Sequence, residues 1–219
     1  MSKLYIYGTV GYDIDSEYVR LALDEAEGEL ELRINSGGGD VFEGNSIYAL
    51  LSSWKNKEGN RLTIYVDGLA ASIASVIAMA GTEIVMSTNS LMMIHNPWTP
   101  AAAGDASDLR ETAAVLDKVR ETILAVYADR TGLDRETIGN LMDEETWLSA
   151  EEAINFGFAD RLVAATDEPM ACIKAFNYSN APGSLENFSE STPVARSVRR
   201  GMSLAEAKLI LSRCCNSPE

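Results

Sequence analysis

Three short stretches of the chain carry residue types that could do chemistry together. The first is Asn35-Ser36-Gly37-Gly38-Gly39-Asp40, which lies between an apolar run and a helical pattern. Glycines there let backbone N–H groups approach a ligand closely, and the helix that follows favours negative charge. A phosphate site would call for a P-loop lysine or the G-x-G-x-x-G spacing, and neither is present. An oxyanion hole or a peptide-binding edge needs the same geometry without a lysine. A bare glycine turn is the plain alternative.

The second stretch is residues 67–75 (DGLAASIAS), where Ser72 sits at the change from strand to helix. Small neighbours let that serine face a cleft, and nearby backbone donors could receive a developing oxyanion. Ser75 lies one turn further on and is the weaker nucleophile. The alternative is a small-residue helix packed tightly, with its serine bonded to backbone. The third stretch is residues 92–97 (MMIHNP), which ends a strand at His95, the only histidine of the chain. A lone histidine is commonly structural, yet strand exits are where sites collect in α/β proteins. A nucleophile, a base and a glycine donor loop together make an acyl-transfer constellation. Their coincidence favours function more than any one of them.

Alternating strands and helices must position these groups. Residues 4–10 read as a strand, 16–26 as a helix with Ser16 as N-cap, 30–35 as a strand and 41–54 as a helix. A strand at 62–66 precedes a helix at 70–80 that Gly81 ends, and short strands follow at 83–86 and 91–94. A long amphipathic helix is expected at 107–130. Its Leu109, Ala113, Leu116, Val119, Ile123 and Val126 keep steps of three and four, which predicts one buried stripe. A last helix starts at Ser149, where Ser149 and Glu152 have capping-box spacing and Gly157 is placed to end it. The alternation predicts an α/β fold with helices packed over sheet. Residues 1–164 form the expected compact domain. Residues 165–219 form a tail, linker-like over 166–200, with a short amphipathic helix at 203–213.

Composition removes several function classes. Of 219 residues 33 are acidic and 18 basic, for a net charge of -15, which argues against nucleic-acid binding and membrane docking. The tail is neutral, so all of that charge falls on residues 1–164, and the exclusion of nucleic acid is weaker for the tail with Arg196, Arg199 and Arg200. No apolar run approaches the roughly 18 residues needed to span a bilayer. The first ten residues alternate like a strand and carry no signal-peptide cleavage site, which argues against secretion. A single histidine excludes a multi-histidine metal site, and neither a metal nor another cofactor is expected. Cys172, Cys214 and Cys215 are odd in number and lack metal-ligand spacing, so reduced cytoplasmic thiols are the simpler reading.

In order and type these segments resemble the proteolytic subunit of the Clp protease, and most of all its viral and prophage relatives, the Clp-like head-maturation proteases. The matching stretches are INSGGGDVFEGNSIY (34–48), DGLAASIAS (67–75), MMIHNP (92–97) and WLSAEEAINFGFAD (147–160), within a likeness that covers nearly all of 4–164. The resemblance implies a Clp protease/crotonase-like fold of repeated β-β-α units, with the long helix as a protruding handle and the tail as a C-terminal extension. It implies Ser72 as nucleophile, His95 as general base, and the N–H groups of Gly39 and Ile73 as the oxyanion hole. Gly38 and Gly68 are expected to border the substrate. The third triad member falls at Glu145, where the family has an aspartate, and Asp143 is its reserve. Protein or peptide substrates follow, as do a homo-oligomer of heptameric rings and a place in the host cytoplasm or an assembling prohead. The chain starts almost at its first core strand and carries an extra tail, which weighs against an ATPase partner and favours capsid or scaffold processing. The rivals are the ATPase-partnered peptidase subunit and an inactive assembly subunit on the same fold. A Ser–Lys dyad lacks its lysine in the matched segments, and a crotonase-type enzyme would not call for Ser72 and His95.

Overall fold

The computed structural model describes residues 2–165 and Asn180. Strands β1 (Ser2–Val10), β2 (Glu29–Gly39) and β3 (Arg61–Ala71) lie parallel, and β4 (Glu83–Ser87) and β7 (Arg161–Val163) extend the sheet in the order β1-β2-β3-β4-β7. Parallel neighbours need crossover connections, and α1 (Ser16–Asp24), α2 (Val41–Lys55) and α3 (Ile73–Ala78) supply them. Alternate residues Leu30, Leu32 and Ile34 of β2 and Leu62, Ile64 and Val66 of β3 are buried with Val19, Ile47, Leu51, Trp54 and Ile77 of the helices. Period-two alternation thus sends one face of the sheet into the core. The α/β architecture stands. Among the described residues two separate strands, β4 and β5, precede α4, and β3 changes partners along its length, from β4 in its first half to β5 in its last residues.

The sheet divides at β3. Its first half pairs with β4, from Thr63↔Glu83 to Val66↔Met86. Its last residues pair instead with β5 (Leu91–Ile94), from Leu69↔Leu91 to Ala71↔Met93. The pairing of β2 with β3 slips at the same level, between Ile34 and Ser36. Asp67 marks the fork: its carboxylate accepts the Tyr7 hydroxyl at 2.6 Å and two N–H groups of Arg33. Arg33 also reaches Glu31 at 3.0 Å. Beyond the fork, β5 pairs antiparallel with β6 (Thr146–Ser149).

Several expectations are corrected. Asp15, not Ser16, caps α1, accepting from the Tyr18 N–H at 2.8 Å. The helix expected at 70–80 begins only at Ile73, because Ala70 and Ala71 are still paired with β5. The glycine stretch is the end of β2, with Thr9↔Gly38 and Val10↔Gly39 in register. The helix after β5, α4 (Ala106–Thr131), is as long as expected, but its stripe is buried only in the second half, at Val119, Ile123, Leu124 and Tyr127. Leu109 and Val115 are exposed. Helix α5 (Arg135–Asp143) and strands β6 and β7 were not among the expected elements. Ser149 does cap α6 (Ala150–Asn155) reciprocally with Glu152, and Gly157 follows at φ 82°. The tail helix at 203–213 and all three cysteines lie outside the described residues. No helix of the described residues is long and apolar enough to cross a membrane.

Candidate active site

Two strand registers converge on one point. Ala71 pairs with Met93, and the Ser72 N–H donates to the Met93 carbonyl at 3.0 Å, so Ser72 ends β3 beside the end of β5. Ile94 pairs with Thr146 across the β5–β6 ladder, which makes His95 and Glu145 the next residues on facing strands. The fork in β3 therefore brings serine, histidine and glutamate to one end of the sheet.

Their geometry is specific. His95 Nε2 lies 2.8 Å from Ser72 Oγ. A neutral imidazole protonated on Nδ1 would accept the serine hydroxyl there. Burial pushes the His95 pKa below its ordinary 6.5, against the opposing pull of the Glu145 carboxylate. The ring is thus neutral at neutral pH, as a base must be. Activity is expected to fall as pH drops through a value below 6.5, which a rate–pH profile checks. Stability follows the same sign: with the folded pKa below the unfolded one, this group's contribution is full above 6.5 and declines as pH falls through the lower folded value.

Among the described residues only two non-glycine residues have positive φ, and both are here: Ser72 at 56° and Glu145 at 49°. Each such conformation costs about 1–3 kcal/mol and persists only where its surroundings over-determine it. Glu145 is held by several contacts. Its Oε1 accepts the Trp147 indole N–H at 3.3 Å and the Asn180 backbone N–H at 2.7 Å, and its own N–H donates to the Met142 carbonyl at 3.2 Å. The Asn180 side-chain amide donates to the Glu144 carbonyl at 2.8 Å.

The glycine stretch presses against the serine. Gly38 has φ 95°, and a Cβ there would lie 2.8 Å from both the Ala71 carbonyl oxygen and Ser72 Cβ. At Gly39, with φ 145°, a Cβ would overlap the Val10 carbonyl. Ser36 shapes this turn: its Oγ donates to the Gly8 carbonyl at 2.6 Å and accepts the Gly38 N–H at 3.1 Å. Gly68 lies at the fork of the sheet. It is buried, and a Cβ would meet Asn35 Oδ1 at 2.9 Å, so it serves strand packing at the fork.

The rival groups are engaged elsewhere. Asp143 Oδ1 accepts from Asn96 Nδ2 at 2.8 Å and from Arg120 Nη2 at 3.0 Å, and these bonds hold its carboxyl below the usual range. Ser75 is fully buried, and its hydroxyl contacts the Ser72 and Met93 carbonyls and the Tyr127 hydroxyl, so it is no rival nucleophile.

A serine at a strained strand end, hydrogen-bonded to a half-buried neutral histidine with a carboxylate near enough to act on its charge, is an arrangement suited to acyl transfer. Residues 6–166 match the family described as Clp protease. The chain belongs to the Clp protease family. The chain is similar to the ATP-dependent Clp protease proteolytic subunit of Leuconostoc citreum, at 34% identity over 143 residues, 64% of this chain and 70% of the relative. It is similar also to that of Ligilactobacillus salivarius, at 32% over 152 residues, 68% and 75% of the two chains. The proteolytic subunit 1 of Protochlamydia amoebophila is 28% identical over 173 residues, 76% and 82% of the two chains. The chain is accordingly a serine-type endopeptidase of the Clp protease family.

Within that family frame, the motifs pointed to Ser72, His95 and the glycine stretch, but not to the residues that hold them. Ser36 and Asn96 lie inside the quoted stretches but carried no role there, and Arg120, Tyr127 and Asn180 had no distinguishing signal. Tyr127 lies one position past the expected stripe residue Val126, and helical spacing does not tell what its hydroxyl meets.

Proposed function

We propose that Ser72, His95 and Glu145 are a catalytic triad that hydrolyses peptide bonds. The 2.8 Å contact between His95 Nε2 and Ser72 Oγ carries this reading. Ser72 Oγ bonds to the substrate carbonyl carbon while its proton passes to His95 Nε2. The Glu145 carboxylate stabilises the imidazolium that forms, and the N–H groups of Gly39 and Ile73 receive the oxyanion. Collapse breaks the C–N bond, and the His95 proton goes to the leaving amine. Water then attacks the acyl ester, with His95 again as base, and restores Ser72. An extended substrate bound through its backbone beside the Gly38 end of β2 would tolerate many side chains.

The physiological setting is the proteolytic subunit of a ring-forming protease fed by an ATPase. The names of the matched relatives, ATP-dependent Clp protease proteolytic subunits, support the ATPase partnership. They lend nothing to the capsid-processing role expected from the viral resemblance. The test uses the full chain with a fluorophosphonate probe and fluorescein-labelled casein, with and without a Clp-type ATPase and ATP. A probe adduct on Ser72, mapped by mass spectrometry, and faster casein cleavage with ATPase and ATP are expected. No adduct on the folded, assembled protein sinks the triad. An adduct with cleavage indifferent to ATPase and ATP sinks the partnership and returns the chain to uncoupled processing.

A further inference from the structure

The peptide group between Ser72 and Ile73 is planar and trans, so its C=O and N–H point in opposite directions. Whatever grips the Ser72 carbonyl therefore aims the Ile73 N–H. One residue grips that carbonyl twice: the Ser75 N–H reaches it at 3.0 Å and Ser75 Oγ at 2.6 Å. Ser75 Oγ also lies 3.1 Å from the Met93 carbonyl and 2.8 Å from the Tyr127 hydroxyl of α4. Counting protons sets the direction of this chain of contacts. Carbonyls only accept, and a serine hydroxyl has one proton to give. That proton goes to the carbonyls, Ser72's being the nearer, so Tyr127 donates to Ser75. Burial pushes the Tyr127 phenol well above its ordinary pKa, so it keeps the proton it donates. Both residues are buried, where hydrogen bonds in series polarise one another.

We propose that Tyr127 and Ser75 are positioning residues that aim the oxyanion donor: Tyr127 O–H holds Ser75 Oγ, Ser75 O–H holds the Ser72 carbonyl, and the Ile73 N–H is thereby turned toward the reacting centre. This rests on the reading of Ser72 as nucleophile and the Ile73 N–H as oxyanion donor. It accounts for a buried hydroxyl pair joining residues 52 positions apart directly behind the strained serine. The Met93 carbonyl belongs to the same clamp, because it accepts the Ser72 N–H at 3.0 Å while facing Ser75 Oγ.

The test compares Tyr127→Phe, Ser75→Ala and the double variant with the unsubstituted protein. Tyr127→Phe keeps the ring that packs edge-on against Phe158, with ring centroids 5.5 Å apart, so the core stays filled. The rate of labelling by a fluorophosphonate is measured across probe concentrations, alongside the melting temperature. The maximal labelling rate is expected to fall about tenfold in Tyr127→Phe, with half-saturation unchanged. Ser75→Ala should lose more, and the double variant no more than Ser75→Ala, because Tyr127 acts through Ser75. A lower melting temperature with an unchanged labelling rate would make the pair merely structural and overturn the proposal. So would independent, multiplying losses in the double variant. Absence of labelling in the unsubstituted protein would overturn the nucleophile assignment, and the clamp with it.

Discussion

Glu145→Gln is expected to lower kcat by about 10^4-fold with little change in KM, because the amide can neither stabilise imidazolium nor hold the imidazole in its working tautomer. Removing this anion also takes away a charge that raises the His95 pKa, so the acid limb of the rate profile should move to lower pH. Asp143→Asn is expected to stay within a few-fold of the unsubstituted enzyme. Its carboxylate is half exposed and spent on Asn96 and Arg120, whose charge it can lose with only modest local effect. Steady-state cleavage of fluorescein-casein across pH reads both effects. If Asp143→Asn shows the large loss and the shifted limb while Glu145→Gln does not, the acid is Asp143. A glutamate at this position has one more rotatable bond than an aspartate. The bonds from Trp147 and Asn180 to Oε1 restrict that added freedom.

Gly38→Ala is expected to abolish labelling of Ser72, with a loss of about 10^3-fold or more. A Cβ at Gly38 would stand 2.8 Å from Ser72 Cβ and from the Ala71 carbonyl, closer than Cβ atoms approach such neighbours. Either the glycine stretch or the serine must move. The first displaces the Gly39 N–H proposed as an oxyanion donor, and the second breaks the 2.8 Å contact with His95. Gly59→Ala is the control, since Gly59 also has positive φ, at 84°, but nothing lies within 4 Å of its Cβ position. It should cost about 1 kcal/mol of stability through the backbone alone and leave the labelling rate unchanged. Equal labelling losses in both variants would place the effect in backbone strain rather than in crowding of the nucleophile.

How much of this could be read beforehand divides along a physical line. Patterns carried by neighbouring residues were legible. The apolar alternation of β2 and β3, the steps of α4 and the Ser149–Glu152 cap are all encoded within a few positions of each other, where backbone geometry alone sets the period. The single histidine was legible as chemistry because it is the chain's one candidate for a histidine base, and Ser72 because it stands at a change from strand to helix among small residues.

What the sequence could not express is which strands lie side by side and in what register. The extent of β3 past Asp67 depends on its pairing with β5, so the expected start of α3 fell several residues early. The exposed first half of α4 looks identical in pattern to its buried second half. Only the position of the sheet decides which half has something to cover. Ser75, which could have been a spare nucleophile, became a backbone clamp once Tyr127 arrived from 52 residues away.

By itself, then, the sequence determined the parts: the α/β alternation, the glycine stretch, Ser72, His95 and an acidic run at 143–145. Only the tertiary structure shows how differently Asp143 and Glu145 are placed relative to His95, which is the ground for proposing Glu145 as the acid. The β5–β6 register opposes Ile94 to Thr146, which sets residue 145 across from the histidine, while Arg120 and Asn96 draw Asp143 aside. That choice is a matter of distances between segments remote in the chain, and no local periodicity encodes such distances.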